Sequence, residues 1–477
     1  MLFRIAVSKN GLFPDSFHGK LCAPMRQVNL GMIGGGTVGS GVFRALQLNG
    51  GLMASRVGVN VALRKIAVKA FDEPRPYEIP QSLMTTDWQS VVNDPDVHLL
   101  AELVGGTTLA REIILTALKL GKPVITANKA LLSAHGEELF AAAKKFGTNL
   151  YYEASVCGGI PIIKSLREGF VGNRINALYG IVNGTCNYIL TRMKLEGADF
   201  TAVLADAQKQ GYAETPPDLD IDGWDAQHKI GILASLAHGF WVNPNKIHVE
   251  GIRQISAMDI KFAGELGYTI KLLGIVKQFA DCQLPIADLG KNRKSQIANH
   301  KCRIQVSVYP TLIPNSHVLA GVNHVFNAVF VRGDIVGDTL FYGRGAGKDA
   351  TASAVLSDLA DAALDLKFGT KHRLPPFVPH EGAGAVMPIE DVVSQYFVRL
   401  NVADRPGVLA KIAAIFGQSK IGISSVIQPE GHEGESVPLI FMLHYATNGA
   451  VMKALSKIGK LPVIKSKPVM IRVESFE

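Results

Sequence analysis

The chain predicts an α/β protein in three parts: a doubly wound parallel sheet, an α+β unit, and a C-terminal unit of ferredoxin-like order. Three observations carry that prediction. A glycine turn, Gly34-Gly35-Gly36-Thr37-Val38-Gly39, lies between an apolar run at 28–33 and a helical stripe of Val42, Phe43 and Leu46. Strand-like and helix-like stretches then alternate to residue 150, the pattern of a parallel sheet. From residue 395 the order is strand, helix, strand, strand, helix, strand. A length of 477 residues fits two or three domains.

In a strand–turn–helix setting, glycines let the backbone turn tightly and approach a pyrophosphate seated on the helix N-terminus. Gly34, Gly36, Thr37, Val38 and Gly39 are therefore expected to hold a dinucleotide in a Rossmann-type sheet. The second strand, at 61–68, ends in Lys69 and Ala70, where an NAD-selective fold places a carboxylate on the ribose 2′-hydroxyl. A cation there, with Arg64 in the strand and Arg75 beyond it, favours NADP over NAD. Strands at 99–104 and 124–127 are each followed by a turn and a helix, at 108–120 and 130–146. Loops after parallel strands face the ligand crevice, so Thr107, Asn128 and Lys129 are expected to point at cofactor or substrate.

The second unit opens on Glu153-Ala154-Ser155-Val156-Cys157-Gly158-Gly159-Ile160-Pro161. Such a loop gathers carbonyls and one carboxylate, the oxygen set that hard cations prefer, and a tight turn without an ion fits it equally. A strand at 177–182 leads into Asn183-Gly184-Thr185-Cys186-Asn187, short polar residues suited to capping a helix and lining a cleft. The stretch 211–229 then carries Glu214, Asp218, Asp220, Asp222, Asp225 and Lys229. Asp222 reads as a helix cap, Ile230, Leu233 and Ala237 as an apolar stripe, and Gly239 as the stop. Asp225 and Lys229 stand four apart and so meet on one face. The plain reading is a solvated ion pair; Trp224, Ile230 and Leu233 point instead to a buried one, which marks a functional-site candidate. A strand or buried helix follows at 266–276, then strands at 304–308, 325–332 and 339–342, antiparallel around the turn Gly333-Asp334. Gly343-Arg344-Gly345-Ala346-Gly347 enters a helix at 350–364 and is expected to close over a nicotinamide.

Residues 369–394 are rich in Gly and Pro and read as a linker. The C-terminal unit has no catalytic constellation, so binding or assembly is its expected role. The net charge of +8 is scattered; the one dense basic run, 291–303, reads as an exposed loop, which argues against nucleic acid as a partner. No apolar run is long enough to span a membrane. Residues 1–25 lack the apolar core of a secretory signal and read as an N-terminal extension. Five widely spaced cysteines without a CxxC pair suggest neither disulfides nor zinc and fit a reducing, cytoplasmic setting.

Further motifs are Glu102-Leu103-Val104-Gly105-Gly106-Thr107, Thr126-Ala127-Asn128-Lys129, Gly211-Tyr212-Ala213-Glu214, Pro310-Thr311-Leu312-Ile313 and Asp404-Arg405-Pro406-Gly407-Val408-Leu409-Ala410. With those above, over residues 26–475, the chain resembles the homoserine dehydrogenases that end in an ACT domain. The resemblance implies an NAD(P)-binding Rossmann domain at 26–150, completed by 340–368, a catalytic and dimerisation domain at 151–339, and an ACT regulatory domain at 395–477. It implies reversible hydride transfer between L-homoserine and L-aspartate 4-semialdehyde with NADP or NAD. By the same likeness Glu214, Asp220, Asp225 and Tyr212 hold the substrate. Asp225 and Lys229 handle the proton, with Lys229 as acid in the reducing direction, and Lys129 lies between nicotinamide and substrate. Gly211 and Gly345 join the cofactor site, and sodium sits at Glu153, Val156, Gly158 and Ile160. Threonine is the expected effector at the ACT domain, and a dimer or tetramer the expected assembly. Two positions depart from the family pattern: Cys157 replaces a third glycine, and Pro216 replaces a carboxylate. Two other readings stay open: an aspartate-semialdehyde dehydrogenase using Cys157 as nucleophile, and a nucleotide-binding amino-acid sensor without chemistry.

Overall fold

The computed structural model describes residues 26–279, 303–370, 375–380, 384–429 and 436–476. The N-terminal extension and nearly all of the basic run at 291–303 lie outside the described residues.

Six strands, β1 (Arg26–Ile33), β2 (Val59–Ala67), β3 (Met84–Thr85), β4 (Leu99–Glu102), β5 (Val124–Thr126) and β6 (Leu150–Tyr151), form a parallel sheet in the order β3-β2-β1-β4-β5-β6. The order reverses between β1 and β4, the switch point at which a doubly wound sheet opens its ligand crevice. Alternate side chains of a strand face opposite ways. Val28, Leu30 and Met32 accordingly pack with Val42 and Phe43 of helix Thr37–Val57, and with Val355 and Leu359 of helix Lys348–Phe368. Ile33 and Leu100 face the opposite layer with Ile113 and Ile114 of helix Thr108–Lys119. One face of the dinucleotide-type sheet is thus closed by a helix from far beyond its last strand, at Lys348–Phe368.

The remaining strands are β7 (Ile175–Ile181), β8 (His248–Val249), β9 (Tyr268–Gln278), β10 (Arg303–Pro314), β11 (Phe326–Gly333), β12 (Gly337–Arg344), β13 (Ala385–Val386), β14 (Val393–Ala403), β15 (Ile423–Ile427), β16 (Ser436–Thr447) and β17 (Val469–Val473). They build one mixed sheet in the order β12-β11-β7-β9-β10-β17-β14-β16-β15, with β8 and β13 also pairing with β10. The hairpin β11–β12 is antiparallel as expected, and the ambiguous 266–276 stretch is mostly strand β9. The last four strands, with helices Val408–Gln418 and Asn448–Ile458, realise the ferredoxin-like order.

That C-terminal unit is not a detached tail. Strand β17 pairs with β14 on one side and with β10 on the other, at Thr311↔Arg472 and Leu312↔Val473. Arg399 of β14 also reaches the fully buried Asp259 of helix Ala257–Glu265, at 2.6 Å. The described part of the expected linker is likewise packed. Tyr152 Oη donates to the Pro376 carbonyl (2.6 Å), and the His380 amide donates to the Gly239 carbonyl (2.9 Å).

Candidate active site

The acidic stretch folds as two helices, Asp218–Ile221 and Trp224–His238, hinged at Gly223. Gly223 has φ 88°, a left-handed conformation that glycine adopts without penalty. Asp222 therefore does not cap the long helix as expected; with Asp218 it pairs with Arg253 instead. Trp224 is also not part of the buried face, being 45% exposed. Burial comes from Ala226, Ile230, Leu233 and Ala234, which carry Lys229 inward with them. Gly239, with φ 66°, ends the helix as expected.

The pair four residues apart is buried and closed. Lys229 Nζ donates to Asp225 Oδ2 and to the Val182 carbonyl, both at 2.7 Å. Those are its acceptors among the described residues, so the third N–H of the ammonium remains for a ligand. Burial works against the Lys229 charge, but the Asp225 carboxylate outweighs it and holds the ammonium above the usual lysine range. Burial likewise opposes the Asp225 charge. The Lys229 and Lys129 ammonium groups, with donors from Lys229 and Asn183, pull its carboxyl well below the usual range. The result is an ion pair rather than a shared neutral proton. Lys129 Nζ lies 3.2 Å from Asp225 Oδ1. It opens helix Lys129–Phe146, where a cation opposes the helix dipole. Its place there is explained by what it faces.

The loop that delivers Lys129 is set by Glu102. This buried carboxylate accepts from the amides of Val104 (2.9 Å) and Gly105 (3.2 Å) and from Thr126 Oγ1 (2.7 Å). Burial raises its pKa, although every one of those donors opposes the rise. Asn128 caps the Lys129 helix through the Leu131 amide and ties it to the Gly106 carbonyl.

Lys129, Asp225, Lys229, Asp220, Glu214 and Tyr212 line one cavity of about 570 Å³. Gly211, Gly345, Gly158 and Val38 also border it, so the cavity runs from the acidic stretch to the first glycine turn. Burial raises the pKa of Asp220. Glu214 and Tyr212 are exposed at the mouth, Tyr212 against Tyr188 with ring centres 4.9 Å apart. Lys69 and Thr107 are not among the lining residues, and Gly34, Gly36, Thr37 and Gly39 form the β1 turn beside the cavity.

The β1 turn fits a dinucleotide. A Cβ on Gly39 would stand 2.0 Å from the Gly34 carbonyl, and one on Gly34 would stand 2.5 Å from the Leu103 carbonyl, whereas Gly36 faces open space. Among the described residues no side chain caps helix Thr37–Val57, which leaves its first N–H groups for a phosphate. Lys69 is exposed beyond the end of β2. Arg64 is turned away to Asp94 and Asp96, and Arg75 is bound to the Phe71 and Ala70 carbonyls.

In the loop 153–161 the Glu153 carboxylate accepts from the Ile163 and Lys164 amides, at 2.9 and 2.7 Å. Burial pushes this carboxyl up to about 7. The Ile160 carbonyl accepts from the Ile162 amide. Among the described residues no group of three or more His, Cys, Asp or Glu is arranged for a metal. What Glu153, Val156, Gly158 and Ile160 offer besides that carboxylate is backbone oxygen, a kind of ligand that hard cations accept. Cys157 is 1% exposed, and burial pushes its thiol up to about 11. That is the opposite of an activated nucleophile.

Sequence reasoning reached most of the lining: Asn183 and Thr185 stood in the polar motif expected to line a cleft, and Arg344 in the glycine turn expected to close over a nicotinamide, whereas Val325 and Thr351 were not singled out. The signal for Asn183 was its place just past the end of β7, inside a polar motif. Val325 and Thr351 gave none, because nothing local ties either residue to a cleft formed mainly by residues 127–229.

Comparison with known proteins agrees with this geometry. Residues 34–153 match the family profile "Homoserine dehydrogenase, NAD binding domain", and residues 161–360 match "Homoserine dehydrogenase". The homoserine dehydrogenase of Pseudomonas aeruginosa is 39% identical, covering 95% of this chain and 100% of its own length. That of Synechocystis is 40% identical over 94% of this chain. The crystal structure of a homoserine dehydrogenase from Thiobacillus denitrificans superposes with TM-score 0.85 at 39% identity, covering 95% of this chain and 99% of that one. A hyperthermophilic archaeal homoserine dehydrogenase in complex with NADPH has TM-score 0.56 at 25% identity, covering 71% and 98%. The chain belongs to the homoserine dehydrogenase family of oxidoreductases and carries that family's NAD-binding domain.

Proposed function

We propose that the chain interconverts L-homoserine and L-aspartate 4-semialdehyde, with NADP preferred over NAD. One observation carries the reading: a buried lysine ammonium, paired with an aspartate, keeps one N–H for a cavity that reaches the dinucleotide turn. Bound at Gly34, Gly36, Thr37, Val38 and Gly39, with Gly211 and Gly345 bordering it, a nicotinamide cofactor would supply or accept the hydride. Lys229 polarises the substrate oxygen and gives it a proton during reduction. Asp225 keeps that nitrogen charged and aimed, and Lys129 adds positive charge at the same carboxylate. Asp220 and Glu214, with Tyr212, meet the substrate's ammonium end.

Lys69 beyond β2 supports the preference for a 2′-phosphate, and so does the NADPH complex of the archaeal relative. The carbonyls at 153–160 support a sodium ion that would brace the loop under Gly158. The C-terminal unit is proposed as an ACT domain through which threonine inhibits, with Asp404 holding Gln428 at the head of its first helix (3.1 Å). A homo-oligomer is proposed through edge strand β12, which exposes Leu340 and Tyr342. Homoserine oxidation followed side by side with NADP and NAD tests the reading. Reduction of neither cofactor in the presence of homoserine overturns it and favours a sensor without chemistry.

A further inference from the structure

Asn183 links both carboxylates of the site. It is 4% exposed and lies between β7 and helix Gly184–Glu196. Its Oδ1 accepts from the Cys186 amide (2.8 Å), which is the ordinary work of an N-cap. Its Nδ2 donates to Asp220 Oδ1 (2.8 Å) and to Asp225 Oδ2 (2.9 Å), so both amide hydrogens are used. The Asp225 oxygen it holds is the one that Lys229 holds, and the preceding carbonyl, Val182, is the other acceptor of Lys229. The dipeptide Val182-Asn183 therefore touches Asp220, Asp225 and Lys229 together.

A cap alone does not need an amide. Aspartate caps a helix as well as asparagine does and suits the helix dipole better. The donor side makes the difference, because an amide is neutral and can bridge two carboxylates that would otherwise repel. We infer that Asn183 is a positioning residue of this reaction, whose amide holds the substrate-binding carboxylate of Asp220 and the lysine-pairing carboxylate of Asp225 ionised in one fixed arrangement. The assignment of the reaction rests on the function proposed above. The charged and titratable groups facing this centre are Asp220, Asp225 and Lys229, Lys129 from the neighbouring helix, His228 beside Asp225, Arg344 at the end of β12, Glu214 and Tyr212 at the mouth, and the buried thiols Cys157 and Cys186.

Two variants separate the roles. Asn183→Asp keeps the size and the cap but replaces the donor with a third carboxylate. Asn183→Ser keeps a cap, shortens the side chain and removes the two bridging amide hydrogens without adding charge. In Asn183→Asp, kcat/KM for L-homoserine should fall about tenfold or more above neutral pH, the scale of a lost charge-assisted hydrogen bond. It should recover in part at lower pH, where a proton replaces the lost amide hydrogens. Its melting temperature should drop further below that of the wild type as pH rises, because a carboxyl with a raised folded-state pKa loses stability with rising pH. Asn183→Ser should lose activity with little change in pH profile and show a constant melting offset. A wild-type pH profile in Asn183→Asp, with a melting offset independent of pH, overturns the inference and leaves Asn183 as a cap only. The melting series needs no turnover. It therefore judges Asn183 even if the wild type fails to oxidise homoserine, a result that would remove the functional reading instead.

Discussion

Arg472, on the last strand, grips Glu250 with two nitrogens: Nη1 reaches Oε2 at 3.1 Å and Nη2 reaches Oε1 at 2.9 Å. Arg472 is 1% exposed, donates also to Asn448 Oδ1, and lies over the Tyr309 ring at 4.3 Å. Glu250 is followed by Gly251, where a Cβ would stand 2.2 Å from the Ile221 carbonyl. One ion pair thus joins the C-terminal unit to a segment packed against Ile221, the neighbour of Asp220. Burial opposes the Glu250 charge, but His248 and Arg472 outweigh it and bring the carboxyl from 4.5 down to about 2.

Arg472→Met should destabilise the chain by about 3 kcal/mol, since removing one partner of a buried pair leaves the other uncompensated. The low end of the roughly 3–5 kcal/mol typical of a broken buried pair is expected because the Glu250 side chain stays 25% exposed. A carboxyl with a depressed folded-state pKa stabilises above its unfolded value and loses that contribution as pH falls. The difference between wild type and variant should therefore be full above pH 4.5 and shrink toward pH about 2. Denaturant midpoints measured across that window check it; an equal gap at every pH would count against the pair as its source.

Lys229→Ala should lower kcat by about 10²-fold or more, the scale of lost acid–base help, while dinucleotide affinity stays nearly unchanged. Steady-state kinetics beside cofactor fluorescence titration decides it. A variant that keeps most of its turnover would remove Lys229 from the proton path.

The direction of the Lys229 shift predicts an asymmetry with pH. Asp225 holds the lysine protonated above its usual range, so the acid needed for reduction is present across neutral pH. Oxidation needs the same nitrogen as a base, so it must first lose that proton. Homoserine oxidation should climb into the alkaline range, whereas semialdehyde reduction should stay level and then fall. Parallel kcat profiles for the two directions would contradict this.

Cys157 sits at φ 55°, a left-handed conformation that favours glycine. Glycine would therefore suit the position without strain, and burial disfavours the thiolate that a nucleophile needs. Cys157→Ala should retain homoserine turnover without phosphate, and Cys157→Gly should fold with stability equal to wild type or better. Loss of turnover in Cys157→Ala with an unchanged melt would restore the nucleophile reading.

Much was legible in local pattern. The β1 turn, the alternation behind the parallel sheet and the βαββαβ order are set by nearest neighbours along the chain, and each element forms within a few residues of where its periodicity places it. The spacing of Asp225 and Lys229 required only a helix. The misreadings share a cause. Asp222 looked like a cap, but Gly223 takes the left-handed turn and Arg253, thirty-one residues on, claims the carboxylate. Trp224 looked like part of the buried face, but packing turns Ala226, Ile230, Leu233 and Ala234 inward and leaves it 45% exposed.

The sequence alone determined which residues could carry charge, turn tightly or lie on one helix face, because those properties belong to single residues and short spacings. Tertiary structure decided which charges meet. Lys129, Asn183, Asp220 and Asp225 converge only after the two sheets pack, and Arg472 finds Glu250 only once β17 joins β10. A buried charge is stabilised by partners within a few ångströms in space, whatever their distance along the chain.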